Sequence, residues 1–113
     1  MAGYDLEKRT FHFAEDVRKL IKLLPRILSN IEDGKQLIRS SGSVGANYIE
    51  ANEALSKKDF TYRIKICRKE AKESRYWLKL LSIDDVKLNQ KRSRLFQEAT
   101  ELMKIFGAIV KKC

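Results

Sequence analysis

One apolar repeat constrains the fold of this chain more than any other feature. In four separate stretches, apolar or small residues recur at alternating intervals of four and three, a spacing that aligns them along one side of an α-helix. The clearest stretch runs from Ser56 to Leu81 and predicts a helix of about 26 residues. Its repeated positions are Phe60, Ile64, Cys67, Ala71, Ser74, Leu78 and Leu81. We expect these seven positions to face the core.

The first two stretches are bounded by signals that start and stop helices. Asp5 is a suitable N-cap for the first helix. Pro25 ends that helix, because proline has no backbone N–H group and disfavours helical angles at the preceding residue. The second helix is predicted to start near Ser29 or Asn30. The repeated positions are Leu6, Thr10, Phe13, Val17, Leu20 and Leu24, then Leu37, Ser41, Val44, Tyr48, Ala51 and Leu55.

Short corners connect the remaining helices. Ser56 and Asp59 have the spacing of a capping box, and Asp84 or Asp85 caps the fourth helix. The repeated positions of that helix are Leu88, Arg92, Leu95, Ala99, Leu102, Phe106 and Ile109. Arg92 is the polar exception, and we expect it to extend toward water at the end of the bundle. The sequence therefore predicts an all-α fold, an antiparallel up-down-up-down four-helix bundle in which residues 1–113 form one domain.

Three glycines interrupt the second helix. Gly42 and Gly45 each cost about 1 kcal/mol relative to alanine inside a helix, so another feature must offset them. Together with Gly34 they lie on one flank. We expect the backbone of another helix to cross that flank too closely for side chains. The alternative is a kinked or broken helix between Ser40 and Gly45.

Positive charge is concentrated in the third helix. The chain has 24 Lys and Arg against 15 Asp and Glu, and residues 56–82 alone contain nine basic and three acidic residues. Six of these cations fall on one side of the helix and are called the basic stripe: Lys58, Lys65, Arg68, Lys72, Arg75 and Lys79. The stripe predicts electrostatic binding of RNA or DNA phosphates. Because Tyr76 is the only ring on that side, binding should follow the shape of the backbone and not its sequence. The alternative is a solvated surface that keeps the protein soluble.

The third helix has a further side with large apolar groups, called here the aromatic face: Tyr62, Ile66 and Trp77. Aromatic side chains ringed by polar groups are typical of interface centres, so these residues are candidates for an oligomer interface. The alternative is that Trp77 only covers a neighbouring helix of its own bundle.

Catalytic chemistry is not indicated. The one histidine, His12, has no cysteine or acid fixed nearby, and the Glu-x-x-His pattern of a di-iron bundle is absent because Arg9 occupies the glutamate position. Glu50, Glu70 and Glu73 are better explained by ion pairs near helix contacts. Their candidate partners are Arg39, Arg63 and Arg75. We expect no enzyme activity, no metal and no organic cofactor.

The composition also predicts the compartment. No segment approaches the roughly 20 apolar residues of a membrane helix, and the N-terminal M-A-G-Y-D-L-E-K lacks the apolar core of a secretion signal. Cys67 lies at a core position and Cys113 at the end of the sequence, which does not favour a disulfide. We expect a cytoplasmic protein that does not insert into membranes.

Two motifs carry a resemblance to a known family. R-S-S-G-S-V-G-A-N-Y-I-E-A-N at 39–52 and S-K-K-D-F at 56–60, followed by the helix through Glu73, resemble the bacterial four-helix-bundle family encoded in intervening sequences of 23S ribosomal RNA genes. In that family a run of small residues precedes Asn-x-x-Glu, here Asn47 and Glu50. Many relatives have proline near Gly45 and glycine near Ala51, so the local geometry here is expected to be straighter.

The resemblance implies a function class. Members of the family look like four-helix protomers that assemble into a ring, a pentamer, without established enzymatic activity. A more distant resemblance is to accessory proteins of diversity-generating retroelements, basic rings that bind a reverse transcriptase and nucleic acid. The expected function is therefore a non-enzymatic homo-oligomer that binds structured RNA or DNA. The alternative is a structural adaptor that docks a protein partner such as a polymerase.

Overall fold

Four α-helices account for most of residues 5–113, the part of the chain that the computed structural model describes. They are α1 (Leu6–Lys22), α2 (Leu28–Asn52), α3 (Lys57–Leu80) and α4 (Val86–Lys112). Each helix packs against the next along the chain, and α4 packs back against α1. Because short connections join antiparallel neighbours, the result is an up-down-up-down four-helix bundle. No helix within residues 5–113 combines the length and apolar character needed to cross a membrane.

Three of the helix starts have the predicted caps. The side chains of Asp5, Ser56 and Asp85 each accept a hydrogen bond from the backbone N–H group three residues later, at 2.9 to 3.0 Å. Each bond satisfies a donor that the first turn of a helix leaves without a partner. The Ser56 half of the predicted capping box is thereby confirmed.

The first corner differs from the prediction in detail. The helix α1 ends at Lys22, and α2 begins at Leu28 with Ile27 at the N-cap and no side-chain cap. Asn30 is buried inside α2 instead of capping it, and its amide bonds the backbone of both corners at that end of the bundle. It donates to the carbonyl oxygen of Pro25 at 3.1 Å, and it exchanges two bonds with the backbone of Ser82 at 3.0 and 2.8 Å. A single buried side chain therefore joins the α1–α2 corner to the α3–α4 corner.

The repeated positions form the core. All six positions predicted for the first helix are buried, as are the repeated positions of α3 from Ile64 to Leu78 and Leu81, the residue that follows α3. Tyr48, Phe60, Leu88 and Ile109 are half-buried and pack against this core. The prediction is wrong at Leu55, which is 99% exposed. The helix α2 has already ended at Asn52, so the helical spacing does not extend to Leu55.

The predicted close approach of another helix at the glycine flank is found at Gly45 only, and the neighbour there is a side chain, not the expected helix backbone. An added Cβ atom on Gly34 would make only ordinary contact, 3.7 Å from Ile21. A Cβ atom on Gly45 would lie 2.9 Å from Oγ1 of Thr10, and one on Gly42 would lie 3.3 Å from Nη2 of Arg18. The nearest atoms belong to side chains of α1, while the α1 backbone stays at 3.7 Å. Since α2 runs unbroken through this segment, the alternative of a broken helix is wrong.

A polar contact fixes the centre of the α2–α3 packing. The hydroxyl groups of Ser40 and Ser74 lie 2.9 Å apart in the buried interface, and Ser74 also donates to the carbonyl oxygen of Glu70 at 2.9 Å. Both serines are fully buried. Small hydrogen-bonded side chains let the two helices approach closely without leaving a buried polar group unsatisfied.

Candidate functional site

The basic stripe lies on the outside of α3 along the boundary with α4. Five of its six cations are exposed, and Arg75 is half-buried. In the described part of the chain, every ion pair is formed by residues outside the stripe. Carboxylates of residues 5–113 therefore do not neutralise the stripe.

Contacts with α4 fix the inner edge of the stripe. The Arg75 guanidinium lies over the ring of Phe96, with its central carbon 4.7 Å from the ring centroid, and its Nη1 lies 3.5 Å from Sδ of Met103. The aliphatic and guanidinium atoms of Arg68 would meet a Cβ atom on Gly107 at 3.8 to 4.0 Å. Packing of these long side chains over an apolar edge leaves their charge at the surface.

The fourth helix extends the positive surface. Lys104 and Lys111 are exposed and lie three residues before and four residues after Gly107, the position at which an added Cβ atom would meet Arg68. Residues at these spacings share one face of a helix, so both lysines border the stripe. Their part in this surface is not evident from the sequence, because packing sets the rotation of α4 against α3. Their spacing around Gly107 is the only signal the sequence offers.

Arg92 has a structural contact at the end of the same boundary. It is half-buried, and its Nη1 donates to the carbonyl oxygen of Leu78 at 3.3 Å and also to that of Leu81. Carbonyl groups in the last turn of a helix have no partner within the helix. Arg92 therefore caps the C-terminal end of α3, which differs from the predicted extension toward water.

The aromatic face lies on the side of α3 that borders α2. Tyr62 is 60% exposed, whereas Ile66 and Trp77 are half-buried. The indole Nε1 of Trp77 donates to Oε2 of Glu73 at 3.0 Å, and its ring contacts Tyr76 edge to face with centroids 5.1 Å apart. Trp77 is thus held in one orientation while part of its ring remains at the surface.

Glu70 and Glu73 each form an ion pair with Arg39 beside this face, as predicted. Arg39 of α2 bonds both carboxylates, with its Nη1 3.4 Å from Oε2 of Glu70 and its Nη2 paired with Glu73. The bond from Trp77, followed by that from Arg39, holds the pKa of Glu73 below its usual value, and Glu70 raises the pKa of Arg39. Hydrogen bonds to a carboxylate favour its charged form, which explains the lowered pKa. Because Arg39 lies in α2 and both glutamates lie in α3, these ion pairs are part of the α2–α3 contact.

The motif residues of α2 have different positions. Asn47 accepts a hydrogen bond from Nη1 of Arg63 at 3.1 Å and donates to the carbonyl oxygen of Ser43 at 2.8 Å, so it joins α2 to α3. Glu50 is exposed, and the ion pairs found in residues 5–113 do not include it. The expected pairing of Glu50 with an arginine is therefore not observed.

Comparison with known proteins decides the family. The model of the family described as "23S rRNA-intervening sequence protein" matches residues 4–108. The chain belongs to that family. Among solved structures it is similar to a crystal structure of a protein of unknown function from the S23 ribosomal protein family of Bacteroides thetaiotaomicron, with 31% identity and a TM-score of 0.82 over 95% of this chain and 99% of that chain. A search of the curated proteins found no match.

The descriptions of the 23S rRNA-intervening sequence family and of this structural neighbour name no enzyme activity. In this member His12 is exposed, and it has an acid beside it, which differs from the expectation: its Nδ1 lies 3.5 Å from a carboxylate oxygen of Glu15. Cys67 is buried, and burial raises the pKa of its thiol to about 12, so it remains a neutral core group at physiological pH. Residues 5–113 contain no cluster of three or more His, Cys, Asp or Glu side chains that could hold a metal ion.

Proposed function

We propose that this member of the family is a non-enzymatic protein that assembles into a homo-oligomeric ring, a pentamer, and binds structured RNA or DNA through the basic stripe. The observation that carries the proposal is a row of six cations that no carboxylate of the same bundle pairs with in the described residues. The row spans about 32 Å, at roughly 1.5 Å per residue from Lys58 to Lys79. A row of this length can follow a phosphate backbone over several nucleotides.

The supporting argument is electrostatic. Each phosphate that a lysine or arginine neutralises releases condensed counterions, so six contacts give a log–log salt slope of about −5. Affinity should then fall about 1000-fold between roughly 50 and 200 mM salt. A ring repeats the stripe once per copy, which raises the local positive potential and allows several copies to engage one nucleic acid.

Charge reversal tests the nucleic-acid part of the proposal. Changing Lys65, Arg68, Lys72 and Lys79 to Glu should abolish retention of a fluorescent RNA hairpin without melting the bundle, because all four side chains are exposed. Binding is measured by fluorescence anisotropy at low and high salt, and folding by circular dichroism.

A matched variant separates local charge from net charge. Its four reversals are at exposed lysines outside the stripe and cause the same change in net charge: Lys19, Lys35, Lys87 and Lys91 to Glu. This control should keep most of the affinity. If the stripe variant binds the hairpin as tightly as the control does at low salt, the stripe is not the nucleic-acid-binding surface.

A second candidate function is an adaptor that docks a protein partner such as a polymerase through its ends. The observation that favours it is a group of exposed apolar side chains beside the corners that Asn30 joins. The members are Leu23, Leu28 and Val86. Nucleic acid that co-purifies with the protein and dissociates at high salt favours the first function. Protein that purifies without nucleic acid and fails to bind the hairpin at every salt concentration tested favours the adaptor.

A further inference from the structure

A second exposed apolar surface lies between α1 and α2. Phe11 of α1 is 61% exposed and Ile49 of α2 is 47% exposed, and both large side chains line an open depression. Small residues of α2 line it as well: Gly42, Gly45 and Ala46. We call this surface the α1/α2 groove, which has a volume of about 1010 Å³. Large apolar side chains beside an open depression are typical of an interaction site.

The groove and the aromatic face lie on adjacent sides of the bundle. The groove borders the side of α2 that packs against α1, through Gly42 and Arg18. The aromatic face borders the opposite edge of α2, where Arg39 pairs with Glu73. Adjacent sides of a four-helix bundle face outward about 90° apart. One protomer therefore presents the groove and the aromatic face, of which Tyr62 is the exposed part, in two different directions.

This angle fits closure into a small ring. A ring of more than two copies is closed by a head-to-tail contact between two different surfaces of each copy. The two surfaces must point about 90° apart in a ring of four and about 108° apart in a ring of five. Surfaces on opposite sides of the bundle would instead extend into a filament or a much larger ring.

We infer that the aromatic face of one copy docks into the α1/α2 groove of the next copy, which rests on the proposed assembly into a ring. The exposed ring of Tyr62 enters the depression above Ala46, between Phe11 and Ile49. The rim of the groove has one more carboxylate than cations: Asp5, Glu7 and Glu15 line it together with Lys8 and Arg18. The Arg18 guanidinium is bonded to the carbonyl oxygens of Ala14 and Ile38. Exposed Lys69 lies one turn beyond Ile66 and is complementary in sign to this excess of negative charge.

The inferred contact also orients the ring. Both interfaces flank α2, so α2 faces the ring axis, while α3 and α4 turn their shared boundary outward. The basic stripe then stays accessible on the outer surface, where Lys104 and Lys111 adjoin it. Nucleic acid would bind around the ring and not through its centre.

Two single substitutions block the two surfaces separately. Ala46→Glu places a long charged side chain in the groove, and Tyr62→Glu removes the exposed ring. Both positions are exposed, so the bundle should fold normally, which circular dichroism checks. Ala108→Glu is the matched control, because Ala108 is an exposed alanine of α4 on neither surface.

The masses of the particles, measured by light scattering, decide the inference. We expect a ring for the unchanged protein and for Ala108→Glu, and monomers for each blocked variant alone. An equimolar mixture of Ala46→Glu and Tyr62→Glu should give dimers, because one copy keeps its aromatic face and the other keeps its groove.

Different results overturn different statements. If the unchanged protein is a monomer, the proposed ring fails and this inference fails with it. If the unchanged protein is a ring but Ala46→Glu keeps the same mass, only the inferred groove contact is wrong. A mixture that stays monomeric, at concentrations where the unchanged protein is fully assembled, overturns the head-to-tail pairing.

Discussion

The α1–α2 contact and the α3–α4 contact are built on the same apolar repeat but leave opposite surfaces. At the α1–α2 boundary the residues beside the core are small, and Gly45 lets Thr10 approach where any Cβ atom would collide. At the α3–α4 boundary they are long, and Arg75 extends over Phe96 toward solvent. The first boundary is an apolar groove and the second is a positive ridge. The repeat therefore sets the fold, while the residues flanking it set what each side of the bundle can bind.

The largest expected effect tests the close packing at the first boundary. Gly45→Val should destabilise the protein by about 3 kcal/mol, because the added carbons meet the buried, β-branched side chain of Thr10 at 2.9 Å. The free energy of unfolding is measured by urea denaturation.

A glycine at the second boundary provides the matched control. A Cβ atom on Gly107 would lie 3.8 Å from its nearest neighbour atom, in Arg68, which is ordinary contact. Gly107→Val should therefore change stability by less than about 0.5 kcal/mol, because the helix propensity of valine is only slightly better than that of glycine. Equal destabilisation at both glycines would show that close packing does not distinguish the two boundaries.

A smaller effect is expected at the end of the second boundary. Arg92→Met keeps most of the aliphatic length but removes the donors to the carbonyl groups of Leu78 and Leu81, which should cost about 2 kcal/mol. Arg94→Met, at an exposed arginine of the same helix, should change stability by less than about 0.5 kcal/mol. Equal effects of the two substitutions in urea denaturation would remove the capping function assigned to Arg92.

The smallest effect concerns the α2–α3 contact that lies between the two boundaries. Trp77 and Arg39 hold the pKa of Glu73 below its usual value. The charged carboxylate therefore stabilises the fold at pH values above about 4.3, the pKa of glutamate in the unfolded chain. That contribution, under about 1 kcal/mol for a partly exposed pair, is lost as the pH falls through the lowered pKa.

Glu73→Gln isolates this contribution. The difference in unfolding free energy between the variant and the unchanged protein should be largest near neutral pH and should shrink toward pH 3. Urea denaturation at several pH values measures it. A difference that stays constant across that range would mean that ionisation of Glu73 does not contribute to stability.

Much of the fold was predictable because its determinants are local. The positions from Ile64 to Leu81 are buried as the repeat predicts, since the 3.6-residue turn fixes which residues share a side of one helix. The caps at Asp5, Ser56 and Asp85 were predictable for the same reason, because each cap bonds a backbone group only three residues away. Leu55 was not, because the repeat does not show where α2 ends.

Less of the candidate site followed from the sequence. The basic stripe is a property of one helix, so its six residues could be grouped from their spacing alone. The bonds among Arg39, Glu73 and Trp77 join two helices, and only their general type was expected. The α1/α2 groove and the lysines of α4 at the edge of the stripe depend on how neighbouring helices are rotated, which a pattern within one helix does not contain.

The sequence by itself determined four amphipathic helices, their order and the residues that each turns inward, because these follow from spacing along a single helix. Only the tertiary structure decided which outer sides meet, through contacts such as Gly45 with Thr10 and Ser40 with Ser74. The physical reason is that close packing fixes the rotation and height of one helix against another, and the hydrophobic effect that drives burial has no direction of its own.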